Sequence, residues 1–490
     1  MRSTMMYLYF SDVFGVSPKV LDNYGAFNIS LVTDLPLFID PFLLFNSKKK
    51  EYQQLHDDII KYLRFLKDKS TAGTVSTGLL KSWYHFPEVK ENWLGFCASG
   101  NTGRGLGKDF AMALNENLRN LFSDFGSEKV TKGSHLEKLC LIKDGVGKDT
   151  ISDFTTNLIK EFLLNYTETF AKKYIEKSLR REMAVERVSF NYKTESWQSD
   201  VFDLPVFKNK YVLLSPKEIL TKDETWINKP DFFRQFDRIP EAIENDQLRA
   251  QINNYFRSVL PKKPTAKDEH KAAASTAMKF PEVIDYFIKY KEDHGDEAEK
   301  KSSLDVIDSR MVYIDQFGSL VNLLSQKSAF YSIPGNTTEE VLKRIEFLKD
   351  VIENKGGHKL FYHKGKPIAK EEDIHILFKL TWRDTVSDVS REVNDGRGPV
   401  DFKISRGSKD KTLVEFKLAS NSQLSRNLQK QLEIYKKASD AEKGYKVVFY
   451  FTKQELDRVR RTLKDLNMVD DPSVILVDAR KDNKPSGSKA

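Results

Sequence analysis

The chain has 490 residues, 40% hydrophobic and 31% charged, with 79 Lys and Arg against 71 Asp and Glu for a net charge of +8. That length implies two to four domains of about 100–200 residues each. A mean hydropathy of −0.51, with no apolar run near the roughly 18 residues of a spanning helix, excludes an integral helical membrane protein, and 12% aromatics with 24 Gly and 16 Pro exclude a mainly disordered one.

In chain order, the opening MRSTMMYLYFSDVFG breaks at Ser11-Asp12 before it could serve as a secretory apolar core, so a soluble cytoplasmic protein without membrane association is expected. Residues 1–260 read as a mixed α/β sensing or targeting region, through which a protein partner or a second copy could bind. The runs FNISLV (27–32), PLFIDPFLLF (36–45) and KYVLLS (210–215) read as buried strands or tight core segments. The periodicity predicts a helix over 51–67, with Leu55, Ile59, Tyr62, Leu63 and Leu66 on one stripe. A second is predicted over 151–175 on Phe154, Leu158, Phe162 and Leu163, with a capped start at Thr150–Asp153. Cys97 and Cys140 lack any CxxC or Cys/His spacing and read as small core residues. The glycine clusters at 100–108 and 144–149 fail the spacing of a phosphate loop, and Asp144, Asp149 and Asp153 read as loop and cap residues.

Residues 261–357 read as a helical connector whose first part, 261–303, has charged and partly mobile ends. From 358 to 480 the pattern becomes a compact α/β module. It begins with a hairpin around Gly365 and a helix in EEDIHILFKLTWRDTVSDV. Strands GPVDFKIS and KTLVEFKLAS follow, joined by the turn Arg406–Asp410. After them come a helix in SQLSRNLQKQLEIYKKAS, the strand GYKVVFYFT, the helix KQELDRVRRTLKDL and the strand SVILVDA. The tail 481–490 reads as disordered. Residues 361–490 hold 27 basic against 20 acidic residues, whereas residues 1–360 hold 52 against 51. A basic module on a neutral body suggests a polyanionic partner.

The chemistry concentrates in that module. Glu415 and Lys417 are two apart on a strand and leave the same face. A short turn brings Asp401 of the preceding strand beside Glu415. Two converging carboxylates suit Mg²⁺, which takes one or two carboxylates plus water and phosphate, and a neighbouring lysine can orient a water or neutralise phosphate charge. Gln431 and Tyr435 lie at i,i+4 on the following helix. Arg397 between two glycines, with Lys403, Arg406 and Arg426, could line a phosphate-binding groove.

Pro399 and Asp401, the Glu415-x-Lys417 pair, and Gln431-xxx-Tyr435 together resemble the PD-(D/E)XK nuclease superfamily, with its restriction-endonuclease-like αβββαβ core, over about a quarter of the chain. The resemblance implies that Asp401 and Glu415 ligate Mg²⁺, with Mn²⁺ able to substitute, that Lys417 positions the attacking water, and that Gln431 and Tyr435 support the site. It also implies an upstream acid, either Glu371 or Glu392, with Glu392 preferred. The expected activity is metal-dependent hydrolysis of nucleic-acid phosphodiesters, with DNA the usual substrate of that family. By analogy, a large body tethered to such a module points to prokaryotic restriction or antiphage defence. The alternative is a nucleic-acid-binding or interaction module with little catalysis.

Overall fold

The computed structural model describes residues 8–73, 75–95, 111–112, 114–116, 118, 125–141, 147–325, 335–363, 365–368, 370–382, 385–394, 399–407, 410–429, 441 and 443–484. Its class is mixed α/β, as expected.

In the body, helix α1 (Lys50–Ala72) buries Ile59, Tyr62, Leu63 and Leu66 on the anticipated stripe and adds Tyr52 and His56. The single helix expected over 151–175 is two, α2 (Lys148–Leu158) and α3 (Lys160–Tyr174). They meet at Ile159, whose φ of −101° and ψ of 16° leave the helical region. Nor does the helix start where expected. Ser152 is inside α2 and buried, and its hydroxyl accepts from the Ile39 N–H at 2.9 Å.

Of the three apolar runs, 36–45 splits into β1 (Leu37–Ile39) and a short helix, Pro41–Phe45, capped by the Asp40 carboxylate. The segment 27–32 is buried extended chain with one bridge, Tyr9 to Ser30. An unanticipated hairpin of β2 (Arg180–Asn191) and β3 (Ser196–Phe207) pairs further with β4 (Lys210–Tyr211), which opens the third run. Strand β5 (Leu220–Lys222) pairs with β1.

The connector is helical, its charged ends included. A short helix α4 (Lys229–Gln235) precedes it, and it holds α5 (Ala266–Lys279), α6 (Glu282–Asp293) and α7 (Gly295–Ser309). Asp285, Lys291 and Glu292 are buried, but most of its charges sit on solvated faces. Beneath them Ala272, Ala273 and Ala277 of α5 and Val283, Ile284 and Phe287 of α6 are buried. A capping box between Thr265 and Asp268 starts α5. A π-helical turn, Arg310–Gln316, then leads to α8 (Phe317–Ser325).

The C-terminal unit begins earlier than 358. Helix α9 (Thr337–Asn354), placed by the sequence in the connector, packs across the C-terminal sheet and buries Val341, Ile345, Leu348 and Val351. The expected hairpin follows as β6 (Tyr362–His363) and β7 (Lys366–Pro367). Helix α10 (Glu371–Thr381) stops well short of the predicted helical stretch, because residues 388–394 form a strand, β8 (Asp388–Asn394), that the sequence reading took as helix and loop. With β9 (Pro399–Arg406), β10 (Asp410–Leu418), β11 (Lys443–Tyr450) and β12 (Val474–Asp478) it makes a five-stranded sheet in the order β12-β11-β10-β9-β8. The β8, β9 and β10 pairs are antiparallel, and β10, β11 and β12 run parallel.

Phe402, Phe416 and Phe449 pack on the α9–α10 side. On the other side Val448 and Tyr450 meet Leu424, Leu428 and helix α11 (Lys453–Asp465). Residues 481–484, expected in a disordered tail, are tied to the sheet, with Lys484 Nζ 3.1 Å from an Asp478 carboxylate oxygen. The rest of that tail, 485–490, lies outside the described residues.

The body and the C-terminal unit share one apolar core, and the first turn of α10 is gripped by the body. Lys370 pairs with Asp223, and Asp373 accepts from the Tyr313 hydroxyl at 2.9 Å. The Tyr9 hydroxyl in turn donates to the Tyr313 carbonyl at 2.7 Å.

Candidate functional site

Backbone pairing between β9 and β10 stops at Phe402↔Val414. One position further, Asp401 and Glu415 occupy opposing positions on strands whose ladder has opened. Asp401 supplies the missing acceptor with its side chain, taking the Phe416 N–H at 2.6 Å. Like charges at opposed positions of a sheet are unfavourable, so a compensating cation is required. Lys417, two residues from Glu415 on the same face, supplies it. Its Nζ is 3.1 Å from Glu415, 3.2 Å from Glu371 and 3.5 Å from Asp401, and it also donates to the Phe416 carbonyl at 2.8 Å. Three carboxylates therefore converge on one ammonium.

Glu371, one of the two upstream acids, makes this contact. It is the first residue of α10, and its other oxygen accepts from the Leu418 N–H at 3.2 Å and the Asn421 amide at 2.9 Å. The side chain of Glu392, the preferred one, lies outside what is described. Glu392 lies on β8 between the pairs Arg391↔Phe402 and Val393↔Val400, which places its backbone opposite Asp401.

Three participants were missed. His375, one turn after Glu371 on α10, brings Nε2 to 3.2 Å from Asp401 and sets its ring edge-on to Phe402. The i,i+4 spacing of Glu371 and His375 was the available signal. Asn421 holds Glu371 in place, and Lys446 of β11, buried, is the register partner of Glu415.

The electrostatics follow from this packing. Burial pushes the Asp401 carboxyl upward, but His375, Lys417 and the Phe416 N–H outweigh it and hold the group well below the usual carboxylate range. Glu415 goes the other way, raised by burial and then by the charge of Asp401, with Lys417 offsetting only part. Burial disfavours the Lys417 ammonium, yet Asp401, Glu415 and Glu371 reverse this and keep it firmly protonated. Lys417 is therefore a fixed positive charge in this arrangement, suited to orienting a water or a phosphate oxygen. The cluster is not sealed. The Asp401 and Glu371 side chains are 14% and 24% exposed, against 4% for Glu415.

Among the described residues no three His, Cys, Asp or Glu side chains form a complete metal cage. Mg²⁺ does not need one, since it retains waters and takes one or two carboxylates. The donor set fits that demand. Asp401 and Glu415 are adjacent hard-oxygen groups, and Glu415 Oε1 is buried without a hydrogen-bond partner.

The comparisons stop at family level. Residues 15–228 match a family described as a domain of unknown function (DUF8370), and residues 337–453 match another so described (DUF8371). No curated protein and no solved structure matches. The second match begins at the first residue of α9 and includes Glu371, His375, Asp401, Glu415 and Lys417.

The basic residues proposed for a phosphate groove behave differently from one another. Arg406 is engaged elsewhere, pairing with Glu340 at 2.5 Å and donating to Ser387 at 2.8 Å. Lys403 lies two residues beyond Asp401 on β9, half-buried, and Arg426 is exposed. Arg397, Gln431, Tyr435, Cys97 and the glycine cluster 100–108 lie outside the described residues, as does Asp144.

Proposed function

We propose that the C-terminal unit is a metal-dependent nuclease of the PD-(D/E)XK type, hydrolysing phosphodiester bonds of nucleic acid, with DNA as the substrate to test first. The observation that carries this reading is the meeting of Asp401, Glu415 and Lys417 where the β9–β10 ladder opens, with an unpartnered Glu415 oxygen. Asp401 and Glu415 would hold Mg²⁺, or Mn²⁺ in its place, which supplies Lewis-acid stabilisation of a phosphoryl oxygen and a more acidic bound water.

The chain's own residues do the rest. His375 and the Phe416 N–H keep Asp401 ionised and aimed. Glu371, steadied by Asn421, holds the Lys417 ammonium at the carboxylate cluster. From there the ammonium can orient a water or balance charge building on phosphate. Lys403 and Arg426 remain candidates for phosphate contacts.

Incubating the full chain with duplex DNA, single-stranded DNA and RNA, in Mg²⁺ or EDTA, beside Asp401→Asn, tests the reading. Cleavage is expected only by the unaltered chain with metal. Cleavage that survives EDTA or Asp401→Asn would refute it, and salt-sensitive binding without cleavage would favour a binding module.

A further inference from the structure

We infer that a second copy of this chain docks, antiparallel and about a two-fold axis, on the outer face of the helix that runs from α7 into the π-helical turn. The backbone is continuous there, since Arg310, where α7 gives way to the turn, keeps helical dihedrals of −59° and −49°. The inner side of this helix is already used. Ala298, Ser302, Val306, Ser309, Val312 and Tyr313 are buried. The outer side of a helix packed in this way is ordinarily polar.

Here it is not. Leu304, Ile307 and Met311 are 54%, 53% and 41% exposed. Single exposed apolar side chains need no explanation, but these three follow one another along one stripe, at steps of three and four residues. A π turn takes more residues than an α turn, so the steps of four from Ile307 to Met311 and on to Asp315 stay on one face. The stripe ends in charge, with Lys300 one turn before Leu304 and Asp315 one turn after Met311, both exposed. A groove of about 100 Å³ lies beside it, between this helix and the short helix Pro18–Tyr24, and is lined by Leu21, Phe27, Val306 and Ile314 as well as Ile307. An apolar seam with a hole next to it is the surface one helix offers to another.

The end charges name the occupant. The order along the face, Lys300, Leu304, Ile307, Met311, Asp315, is its own complement when reversed. Laid antiparallel about an axis beside Ile307, Lys300 of each copy meets Asp315 of the other, and Leu304 meets Met311. A parallel pair would set lysine on lysine and aspartate on aspartate, which is unfavourable. An isologous contact of this kind closes at two copies. From Lys300 to Asp315 the helix rises about 22 Å. One helix face of that length falls below the roughly 1,200 Å² of a standard interface, so the dimer should be reversible, with a dissociation constant of about 1–100 μM. Such a dimer does not depend on what the carboxylate cluster does.

Sedimentation equilibrium of the full chain, over about 1–100 μM, tests each part. A monomer–dimer equilibrium is expected. Ile307→Glu should leave the chain monomeric throughout, with an unchanged melting temperature at low concentration because the position is exposed. Lys300→Glu and Asp315→Lys should each weaken the dimer by about tenfold or more, since the two-fold doubles every like-charge contact. The double exchange, Lys300→Glu with Asp315→Lys, should restore it. A chain monomeric at every concentration, association beyond two copies, or a dimer indifferent to Ile307→Glu would overturn the assignment of the face. A double exchange no tighter than the single ones would overturn the antiparallel pairing.

Discussion

The body and the C-terminal sheet both bury charge, but they balance it differently. In the body the buried ionic groups come mainly as matched sets. His135 meets Glu292, and Lys291 meets Asp231. Beside the sheet, Glu340 of α9 is more than matched, by Arg344 and Arg406 together with Thr385 and Ser387. At the opened end of β9 and β10 the balance shifts, with three carboxylates facing Lys417 and, at Asp401, His375, and Lys446 in register with Glu415. Matched pairs hold a fold in one arrangement. A surplus of carboxylates adds nothing to that, and perturbed, converging groups of this kind cluster at functional sites.

The largest expected effect breaks the surplus itself. Asp401→Ala and Glu415→Ala should each remove metal-dependent cleavage, while circular dichroism shows a folded chain; Asp401→Ala should be the less stable of the two, since it also removes the acceptor of the Phe416 N–H and the partner of His375. Wild-type rates in either variant would leave the surplus without a use. Lys417→Ala comes next. Turnover should fall by about 10²–10⁴-fold, and the chain should lose on the order of 3–5 kcal/mol of stability, because the shared counter-charge of three acids is gone. Added Mg²⁺ should restore more stability to this variant than it adds to the unaltered chain, as read by urea unfolding. Lys417→Arg should rescue stability better than turnover, since the larger planar guanidinium cannot reproduce the ammonium's place.

Glu340→Gln sharpens the comparison from the matched side. It takes the carboxylate from Arg344, whose side chain is 1% exposed and keeps the Thr381 carbonyl, and should cost about 3–5 kcal/mol with no first-order change in cleavage. Burial raises the Glu340 carboxyl, but Ser387, Thr385 and Arg406 prevail and hold it low. Its stabilisation is therefore fully present above the unfolded value of about 4.3 and fades as pH falls through the lower folded value. The pH dependence of unfolding for the two chains should converge in acid.

The smallest effect lies in the body. Burial, and then Asp149 and Glu88, push Asp153 up to about 8. A folded carboxyl raised above its unfolded value of about 3.9 costs stability increasingly as pH rises between the two values. Asp153→Asn should therefore raise the melting temperature at pH 8 and leave it nearly unchanged at pH 4.

What the sequence made legible depended on whether a signal was local. The Glu415–Lys417 spacing needs only the two-residue period of a strand, and Asp401 only a hairpin, so these three were readable. Strand β8 was not. In SDVSREVN the apolar residues Val389 and Val393 are four apart, which suits a helix as well as an edge strand. Glu371 and His375 share a helix face by their i,i+4 spacing, but which face meets the cluster is decided by packing of α10 on Phe402 and Phe416, a long-range fact. Glu392 stands close to Asp401 in sequence, and its backbone register opposite that residue is what proximity can detect. In the body, the β2–β3 hairpin escaped notice because much of RREMAVERVSFN is solvated, leaving no apolar run to mark it.

The first turn of α10 serves two halves of the molecule at once. Lys370 and Asp373 belong to the body's Asp223 and Tyr313, while Glu371 between them belongs to Lys417. Successive residues on a helix are about 100° apart, so rotating this turn enough to free the outer two would carry the middle one away from its lysine. The helix works as a key held in two locks. A change in the body that turned this helix end about its axis would draw Glu371 away from Lys417, because the three contacts sit on one turn.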